Sequence, residues 1–455
     1  MLKSLFLFLC ISGCAYAAFS EAQSNLPPVM ITYGPWVTTP DIGAVTIGFV
    51  TDINTGAGIE YRIKGSDNEW SSRWHTEAGQ LISTGNRHAI RLTGLDPESQ
   101  YEYRIVLFIP PQKQEGDNKF RAQSELRLPR TLKIEDDAFN FRPFSTEETY
   151  SFFVVSDLQF PTERRHQILQ NYHDTGMKDS RFVVLLGDLT NSIDNIETDI
   201  LQGIIEKTTA LGGASQPHLF IRGNHEWRGL QSDLWTSYFA MPGGSTYAAF
   251  RCGDAFYIVL DTGEDKPPYP FTAHYTTANI AEQEFMDSQK AWLTSVVESQ
   301  EFKAAKFRIV LAHSAPYSHA GRYMSRVVNN LVEDFFTSDA PDNRIHLWIS
   351  GHTHFYARTI PGTTQAYALS QPIKKFYRDD RYSFPVVTLD GPTFNGPEGD
   401  LPTSGLKVAV EKERLFLESI REDGTVFDRF EVLPDGSIND LNKGLSSSLF
   451  TFEPL

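Results

Sequence analysis

Polar side chains follow the short apolar runs in the second part of the chain, where each run ends. Five of these runs deliver aspartate, asparagine or histidine, either directly or after one glycine. In chain order, these residues are Asp157, Asp188, Asn224, His313, His352 and His354. Carboxylate oxygens, amide oxygens and imidazole nitrogens suit divalent or trivalent Mn, Fe and Zn ions, and no thiolate accompanies them. The set predicts a metal centre. A sixth run ends on Asp261, for which we expect a structural capping role.

Glycines stand directly before three of these residues, at Gly187, Gly223 and Gly351. Glycine lets the chain turn sharply, so that the next side chain can point into a crevice. A carboxylate at the end of a central strand can bridge two metal ions about 3.5–4 Å apart, which is the spacing used in two-metal hydrolysis. The pattern is therefore compatible with a centre of two ions.

The apolar runs predict the elements that position these residues. Between residues 150 and 350 the runs are FFVVS, RFVVLLG, HLFIR, AFYIVL, FRIVLA and IHLWIS, and longer amphipathic stretches such as 163–173 and 281–298 lie between them. Nearly continuous apolar character indicates strands buried on both faces, as in layered α/β domains. In such sheets, ligands bind at the carboxyl ends of the strands. Further strand-like segments follow from residue 384, and the last two, up to residue 433, predict a hairpin.

The N-terminal part has a different pattern. Residues 28–133 contain seven short runs with period-2 alternation, separated by Gly, Asp, Asn and Pro, which predicts an antiparallel β-sandwich. Residues 134–149 are polar and broken, and we interpret them as a linker. We expect a second domain at 150–433 and a C-terminal tail at 434–455.

Residues 1–17 have the pattern of a secretory signal peptide: a short positive start, an apolar run and an A-x-A exit. The run is too short to span a bilayer, and no second candidate follows it. An alternative is a bacterial lipoprotein signal, in which Cys14 carries a lipid anchor. Both interpretations predict an exported protein, secreted or periplasmic. Besides Cys14, an exported chain would keep only Cys252, so we expect no disulfide framework.

The charge of the chain limits its partners. The formal net charge is −16, with 57 acidic and 41 basic residues and no long basic run. Nucleic acid is therefore excluded as a main partner, because binding a phosphate backbone needs clustered Lys and Arg. An acidic protein that handles a phosphate needs a local positive source such as metal ions. The sequence leaves the oligomeric state open.

The order Asp…Gly-Asp…Gly-Asn-His-Glu…His…Gly-His-x-His resembles the calcineurin-like metallophosphoesterases. The sandwich in front, the spacing Val310-x-x-His313 and the run GHTHFYAR from Gly351 are most similar to the purple acid phosphatase branch. Residues 95–103 also resemble a corner of fibronectin type III domains. The resemblance implies a fibronectin type III-like β-sandwich, followed by an α/β metallophosphoesterase domain with two facing mixed sheets flanked by helices.

The resemblance also implies roles for individual residues. Asp188 would bridge both ions. Asn224, His313 and His352 would complete the second site, and Asp157 and His354 would belong to the first. His225 would be no ligand but the catalytic general acid or a donor to a phosphate oxygen, with Glu226 orienting it. We place His319 near the substrate.

Two positions depart from the family pattern. The wider family has histidine at the position of Gln159, whereas the purple branch has glycine there and a tyrosine at the position of Asn191. The chain has neither the histidine nor the tyrosine. We therefore expect the amide oxygen of Gln159 or Asn191 to complete the first site.

The function that follows is hydrolysis of a small phosphate ester by metal-activated water, with two Fe, Mn or Zn ions as cofactors and a phosphomonoester as substrate. One alternative is a phosphodiesterase of the same fold. The other is a non-catalytic surface binding protein on a degenerate phosphatase scaffold, because one first-site ligand is missing.

Overall fold

A computed structural model of the 455-residue chain gives the structure. It describes residues 29–108, 130–131, 139–146, 149–239, 241–266, 281–316, 322–338, 340–369, 377–378, 381–392, 403–451 and 453–454. The predicted signal peptide, Cys14 and His319 lie outside the described residues. No helix in the described part of the chain is both long enough and apolar enough to cross a membrane.

The N-terminal region consists of two antiparallel sheets packed face to face. One sheet has the order β1-β2-β7 and contains β1 (Ile31–Asp41), β2 (Ala44–Thr51) and β7 (Arg87–Thr93). The other contains β3 (Gly56–Ile63), β4 (Ser71–Trp74), β8 (Tyr101–Phe108), β9 (Arg130–Thr131) and β10 (Phe139–Phe141). Strands β5 (Thr76–Glu77) and β6 (Gln80–Leu81) form a separate two-stranded antiparallel ribbon. Alternate side chains such as Ile47, Ile59 and Ile105 form the core between the sheets.

The segment interpreted as a linker contains a strand of this sandwich. Within 134–149, β10 pairs with β8 so that Phe141 faces Tyr101, and their rings stack 5.5 Å apart. Phe141 is buried in the sandwich core. The chain therefore stays part of the N-terminal sheets until residue 141 and enters the next region through a shorter connection.

The second region contains two mixed sheets that face each other, as expected. The first has the order β13-β12-β11-β22-β23-β24-β25, with strands Tyr150–Val155 (β11), Phe182–Leu186 (β12), His218–Ile221 (β13), Gly405–Val410 (β22), Leu415–Ile420 (β23), Val426–Val432 (β24) and Ile438–Asp440 (β25). The second has the order β14-β15-β16-β17-β21-β18-β19-β26, with strands Ala248–Cys252 (β14), Ala255–Leu260 (β15), Phe307–Ala312 (β16), Leu347–Ser350 (β17), Ala357–Thr359 (β18), Gln365–Ala368 (β19), Val386–Thr388 (β21) and Ser448–Thr451 (β26). A separate pair joins Tyr377–Arg378 (β20) to Glu453–Pro454 (β27).

Helices cover the outer faces of both sheets. They are Thr162–Thr175 (α1), Glu206–Thr208 (α2), Trp235–Phe239 (α3), Glu282–Glu298 (α4), Gln300–Ala304 (α5) and Arg322–Phe336 (α6), with π-helices at Glu197–Ile205 and Thr209–Gly213 and short 3₁₀ turns at Met177–Asp179, His225–Trp227 and Ser232–Leu234. Both faces of strand β11 are buried, which explains why its run is continuously apolar. Phe152 and Val154 lie in the core between the sheets, whereas Phe153 and Val155 pack with Ile168 of α1.

The end of the chain extends both sheets. The predicted hairpin is confirmed as β23 and β24, which pair antiparallel. The segment 434–455 was expected to be a tail, but β25 pairs with β24 and β26 pairs with β19. Its polar, turn-rich sequence gave no apolar run, because β25 and β26 are edge strands with exposed side chains.

The sandwich packs directly against the second region. Trp36 of β1 is 1% exposed and shares a core with Phe239 of α3, at a ring distance of 6.1 Å. The Tyr103 hydroxyl donates a hydrogen bond to the carbonyl of Ala214 at 2.7 Å. Trp36 therefore packs between the two regions.

Candidate metal centre

The carboxyl ends of parallel strands from both sheets meet at one edge. Strands β11, β12 and β13 run parallel in the first sheet, and β15, β16 and β17 run parallel in the second. The predicted ligands all follow these strands, so the fold brings them together. The hydrogen bond from His313 Nδ1 to the carbonyl of Leu186, 2.8 Å long, joins the ends of β16 and β12 across the two sheets.

The backbone at this edge adopts a left-handed conformation that residues other than glycine rarely adopt. Among the described residues, five other than glycine have positive φ, and four of them are predicted ligands: Asp157 (54°), Asp188 (52°), His352 (69°) and His354 (52°). Left-handed backbone costs free energy outside glycine and persists where surrounding structure enforces it, typically at functional sites. The four ligands therefore leave their strands through the same kind of sharp turn.

Asp157 forms one half of the centre. Its buried carboxylate lies 3.2 Å from His354 Nε2 and accepts a hydrogen bond from the backbone N–H of His352 at 3.0 Å. The His354 Nδ1 atom is held by the carbonyl of Pro392. A Cβ atom on Gly351 would lie 2.1 Å from Asp157 Oδ2, so only glycine leaves room for this carboxylate.

Asp188 lies at the centre of the site. Its Oδ2 atom is 3.1 Å from His313 Nε2 and accepts a hydrogen bond from Gln159 Nε2 at 2.9 Å. Its Oδ1 atom accepts the backbone N–H of His225 at 2.9 Å. The neighbouring charge of His313 and the other histidines outweighs burial and holds the pKa of Asp188 well below its usual range.

Two groups of candidate ligands share Asp188. The first group is Asp157, Asp188 and His354, and the second group is Asp188, His313 and His352; within each, the ligand atoms lie within 4.8 Å of one another. Asn224 joins the second group, because its Oδ1 atom lies 3.0 Å from His352 Nδ1. The structure thus brings together the residues that the family resemblance implied for each of the two sites.

The donor set fits cations. Burial lowers the pKa of His313, but the negative charges of Asp188 and Asp157 outweigh it and raise the pKa to about 10. These two carboxylates therefore give the surroundings of His313 a negative charge. Buried polar atoms normally have partners, yet His313 Nε2 and Gln159 Oε1 are buried without a hydrogen bond in the described part of the chain. Buried charges are paired or coordinate metal ions, and carboxylates beside this imidazole nitrogen and this amide oxygen suit bound cations.

Gln159 and Asn191 occupy different positions relative to this set. Gln159 is 7% exposed and touches Asp188, with its Oε1 atom unpartnered as above. The Asn191 residue is exposed, and its backbone carbonyl faces His225 Nδ1 at 2.7 Å. The structure thus places the Gln159 amide beside Asp188, which both groups share, whereas the Asn191 residue is exposed.

His225 stands beside the two groups. Because its Nδ1 atom faces the carbonyl of Asn191, its proton lies there in the neutral ring, and Nε2 faces Asp188 Oδ2 at 3.8 Å and Arg228 Nη1 at 2.8 Å. Burial lowers the pKa of His225, assisted by the charge of Arg228 and opposed by that of Asp188. The ring is therefore held in one orientation.

Glu226 has another role than the one predicted. Its carboxylate does not orient the His225 ring but accepts backbone N–H groups from Gly223, Asp188 and Leu189, at 2.8, 2.8 and 2.7 Å. It therefore fastens the turn after β12 to the turn after β13. Burial and the charge of Asp188 raise the pKa of Glu226 to about 7.

The sixth strand end carries residues that the sequence analysis did not assign. Asp261, expected as a cap, accepts the N–H of Gly263 at 3.1 Å and also binds Arg222 and Trp227, at 2.6 and 2.9 Å. Glu264 and Asp265 follow within a few residues and bind the buried Arg228. The position of this acidic stretch after a buried strand was the signal that could have identified them.

Residues 150–356 match the family model of the calcineurin-like phosphoesterases, so the chain contains a domain of this kind. The structure of PhoD has 11% identity and a TM-score of 0.55, covering 91% of this chain and 93% of that chain. A dimetal phosphatase from Danio rerio has 11% identity and a TM-score of 0.40, covering 67% of this chain and 99% of that one. No curated protein matches the chain. The likeness to PhoD shows a shared fold.

Proposed function

We propose that this protein, whose residues 150–356 form a calcineurin-like phosphoesterase domain, is a metal-dependent hydrolase of phosphate esters. The observation that carries the proposal is the position of Asp188, whose carboxylate belongs to both ligand groups. A carboxylate shared by two buried groups of ligands suits two-metal hydrolysis.

Each ligand group would hold one Fe, Mn or Zn ion. Asp157, Asp188 and His354, with the Gln159 amide oxygen as a fourth donor, would hold the first ion. Asp188, Asn224, His313 and His352 would hold the second. When bound, such ions polarise phosphoryl oxygens and lower the pKa of water, which supplies a nucleophile near neutral pH. The turns after the strands, fastened by Glu226, keep these side chains in place before the ions bind.

His225 would assist the leaving group. Its Nε2 atom is the ring nitrogen that faces the ligand groups, and either role, general acid or donor to a phosphate oxygen, requires a proton on Nε2. In the structure, that nitrogen accepts from Arg228 Nη1. We propose that a substrate oxygen displaces this contact and that Nε2 takes up a proton from solvent to give the imidazolium. His225 then donates this proton from Nε2 to the departing alkoxide, which leaves the ring neutral again.

We propose a small phosphomonoester as the substrate, in keeping with the acid phosphatases that the sequence resembles. A diester is the second candidate, and one observation favours it. Arg222 is paired with Asp261, and Arg228 is paired with Glu264 and Asp265. Cations that are already paired with carboxylates leave less positive charge for a bound phosphate, and a singly charged diester needs less of it than a monoester dianion.

Metal analysis combined with two substrates tests the proposal. Purified protein should contain two ions per chain and hydrolyse p-nitrophenyl phosphate faster than bis-p-nitrophenyl phosphate. A chelator should abolish hydrolysis, and Mn or Zn should restore it. Faster cleavage of the diester would support the second candidate. Two bound ions without hydrolysis of either substrate would support the binding-protein alternative and overturn the enzymatic proposal.

Two further proposals rest on the sequence. We propose that the protein is exported, on the basis of residues 1–17, and that its N-terminal sheets are fibronectin type III-like. The two antiparallel sheets with a shared core support the second proposal. Cell fractionation and the N-terminal sequence of the mature chain would test the first, including the lipidated form at Cys14.

A further inference from the structure

A buried arginine links His225 to two carboxylates. The Arg228 side chain is 6% exposed and binds Glu264 through Nε at 2.8 Å and Nη2 at 2.6 Å. The same Nη2 atom lies 2.5 Å from Asp265 Oδ1, and Nη1 lies 2.8 Å from His225 Nε2. A guanidinium bound at several of its nitrogens has little freedom to rotate. Arg228 therefore presents Nη1 to His225 from a fixed position.

Asp265 is the member of this network that contacts a candidate metal ligand. Its Oδ1 atom accepts a hydrogen bond from Asn224 Nδ2 at 3.2 Å. On the other side of the amide, Asn224 Oδ1 lies 3.0 Å from His352 Nδ1, within the second group. An amide has one donor end and one acceptor end. Binding of Nδ2 by Asp265 therefore fixes the direction in which the oxygen points.

The orientation of this amide matters because its two ends have opposite effects on a cation. The oxygen is a ligand for a metal ion, whereas the NH₂ group carries partial positive charge and repels one. Without the Asp265 carboxylate, nothing at this contact would favour the oxygen-inward orientation of Asn224. Partners of this kind behind metal ligands typically change metal affinity or activity by about 10–100-fold when they are replaced.

We propose that Asp265, anchored by Arg228, is a positioning residue that turns the Asn224 oxygen toward the second ion and, through the same guanidinium, orients His225 before the substrate binds. The buried ion pair of Arg228 and Asp265 thus links the metal ligand Asn224 to His225, which would protonate the leaving oxygen. The inference deepens the proposed function and rests on it.

Glu264 provides a matched control. Like Asp265 it binds Arg228, with distances of 2.6 and 2.8 Å, but the contact to Asn224 belongs to Asp265. Glu264→Gln therefore loosens Arg228 while leaving the Asn224 amide bound. If Asp265 only stabilises the fold through Arg228, the two carboxylates should be equivalent.

The experiment measures metal affinity by chelator competition and turnover of p-nitrophenyl phosphate for wild type, Asp265→Ala, Asp265→Asn and Glu264→Gln. Asp265→Ala should weaken the second ion by about 10–100-fold and lower kcat. Asp265→Asn keeps an oxygen that can accept from Asn224, so it should recover part of the affinity. Glu264→Gln keeps an oxygen that can accept the backbone N–H groups of Asp265 and Lys266, as Glu264 Oε1 does at 2.9 and 3.2 Å. It should therefore keep wild-type metal affinity and lower only kcat, because it weakens the ion pair with Arg228 and so disturbs His225.

Two results would overturn the inference. One is wild-type metal affinity in both Asp265 variants. The other is an equal loss of affinity in Glu264→Gln and Asp265→Ala, which would indicate a structural ion pair. If Asp265→Ala does not fold, the nearly isosteric Asp265→Asn decides, since the inference requires it to bind the second ion more weakly than Glu264→Gln does. Failure of the proposed function is distinguishable, because wild type itself would then bind no ions or cleave no ester.

Discussion

The two ligand groups share Asp188 but differ in how they are completed. The second group has two imidazoles and the Asn224 amide, whose NH₂ end is bound by Asp265. The first group has one imidazole, that of His354, and the amide of Gln159 beside it. A neutral amide oxygen is a weaker donor than imidazole. We therefore expect the second ion to be held tightly and the first to exchange more readily.

The largest effect should come from the residue that both groups share. Asp188→Asn removes the shared charge, so both ions should be lost and hydrolysis of every phosphoester should fall to background. The matched control is Asp179→Asn, an exposed aspartate in the 3₁₀ turn after α1. Metal content after dialysis measures the result. Retention of two ions with wild-type rates would show that Asp188 is no bridge.

Gly351→Ala should damage the first group selectively. The new Cβ atom would lie 2.1 Å from Asp157 Oδ2 and 2.0 Å from Ser156 Oγ, closer than real contacts allow. Because overpacking typically costs about 1–3 kcal/mol, Asp157 should shift and release the first ion. Gly85→Ala is the control, since its Cβ would meet no atom within 4 Å. Thermal unfolding and ion counting would show the effect; loss of the second ion first would contradict the assignment.

His225→Ala separates chemistry from metal binding. Metal content should remain at two ions, and kcat should fall by about 10²–10⁴-fold for alkyl phosphates, the range typical of general acid catalysis. The loss should be smaller with p-nitrophenyl phosphate, because its leaving group needs little protonation. His173→Ala on the surface of α1 serves as the control. An equal loss for all leaving groups would instead assign His225 to phosphate binding.

The smallest change in metal affinity should come from Gln159, the position that distinguishes the two groups. In wild type, a chelator should remove one ion well before the other. Gln159→His should tighten the weaker ion, because imidazole is the better donor and the side chain already contacts Asp188. Asn191→Ala should leave affinity unchanged, since that residue is exposed. If Asn191→Ala destroys binding and Gln159→His does nothing, the assignment is reversed.

The sequence was most informative where the chemistry is local. Strands buried on both faces could be predicted from their continuous apolar runs, and the candidate ligands from the residue that follows each run. The division into two groups came from the family resemblance, and the structure brings the same residues together at one edge. Short edge strands such as β10, β25 and β26 lack such runs, because each of them has at most one buried face.

Contacts between residues far apart in sequence could not be predicted. Glu226 binds the N–H of Asp188 across 38 positions, and Asp265 binds Asn224 across 41. Their positions depend on how β12, β13 and β15 are arranged, which no local pattern specifies. The expectation that Glu226 orients the adjacent His225 used sequence proximity, whereas the fold turns that carboxylate toward the backbone of its own turn and of the turn after β12.

Anomalous diffraction from crystals of the Mn-loaded protein tests the central claim most directly. We expect two peaks, one on each side of the Asp188 carboxylate and about 3.5–4 Å apart, with the peak beside His313 and His352 at higher occupancy after brief exposure to chelator. A single peak, or two peaks that do not share Asp188, would contradict this claim.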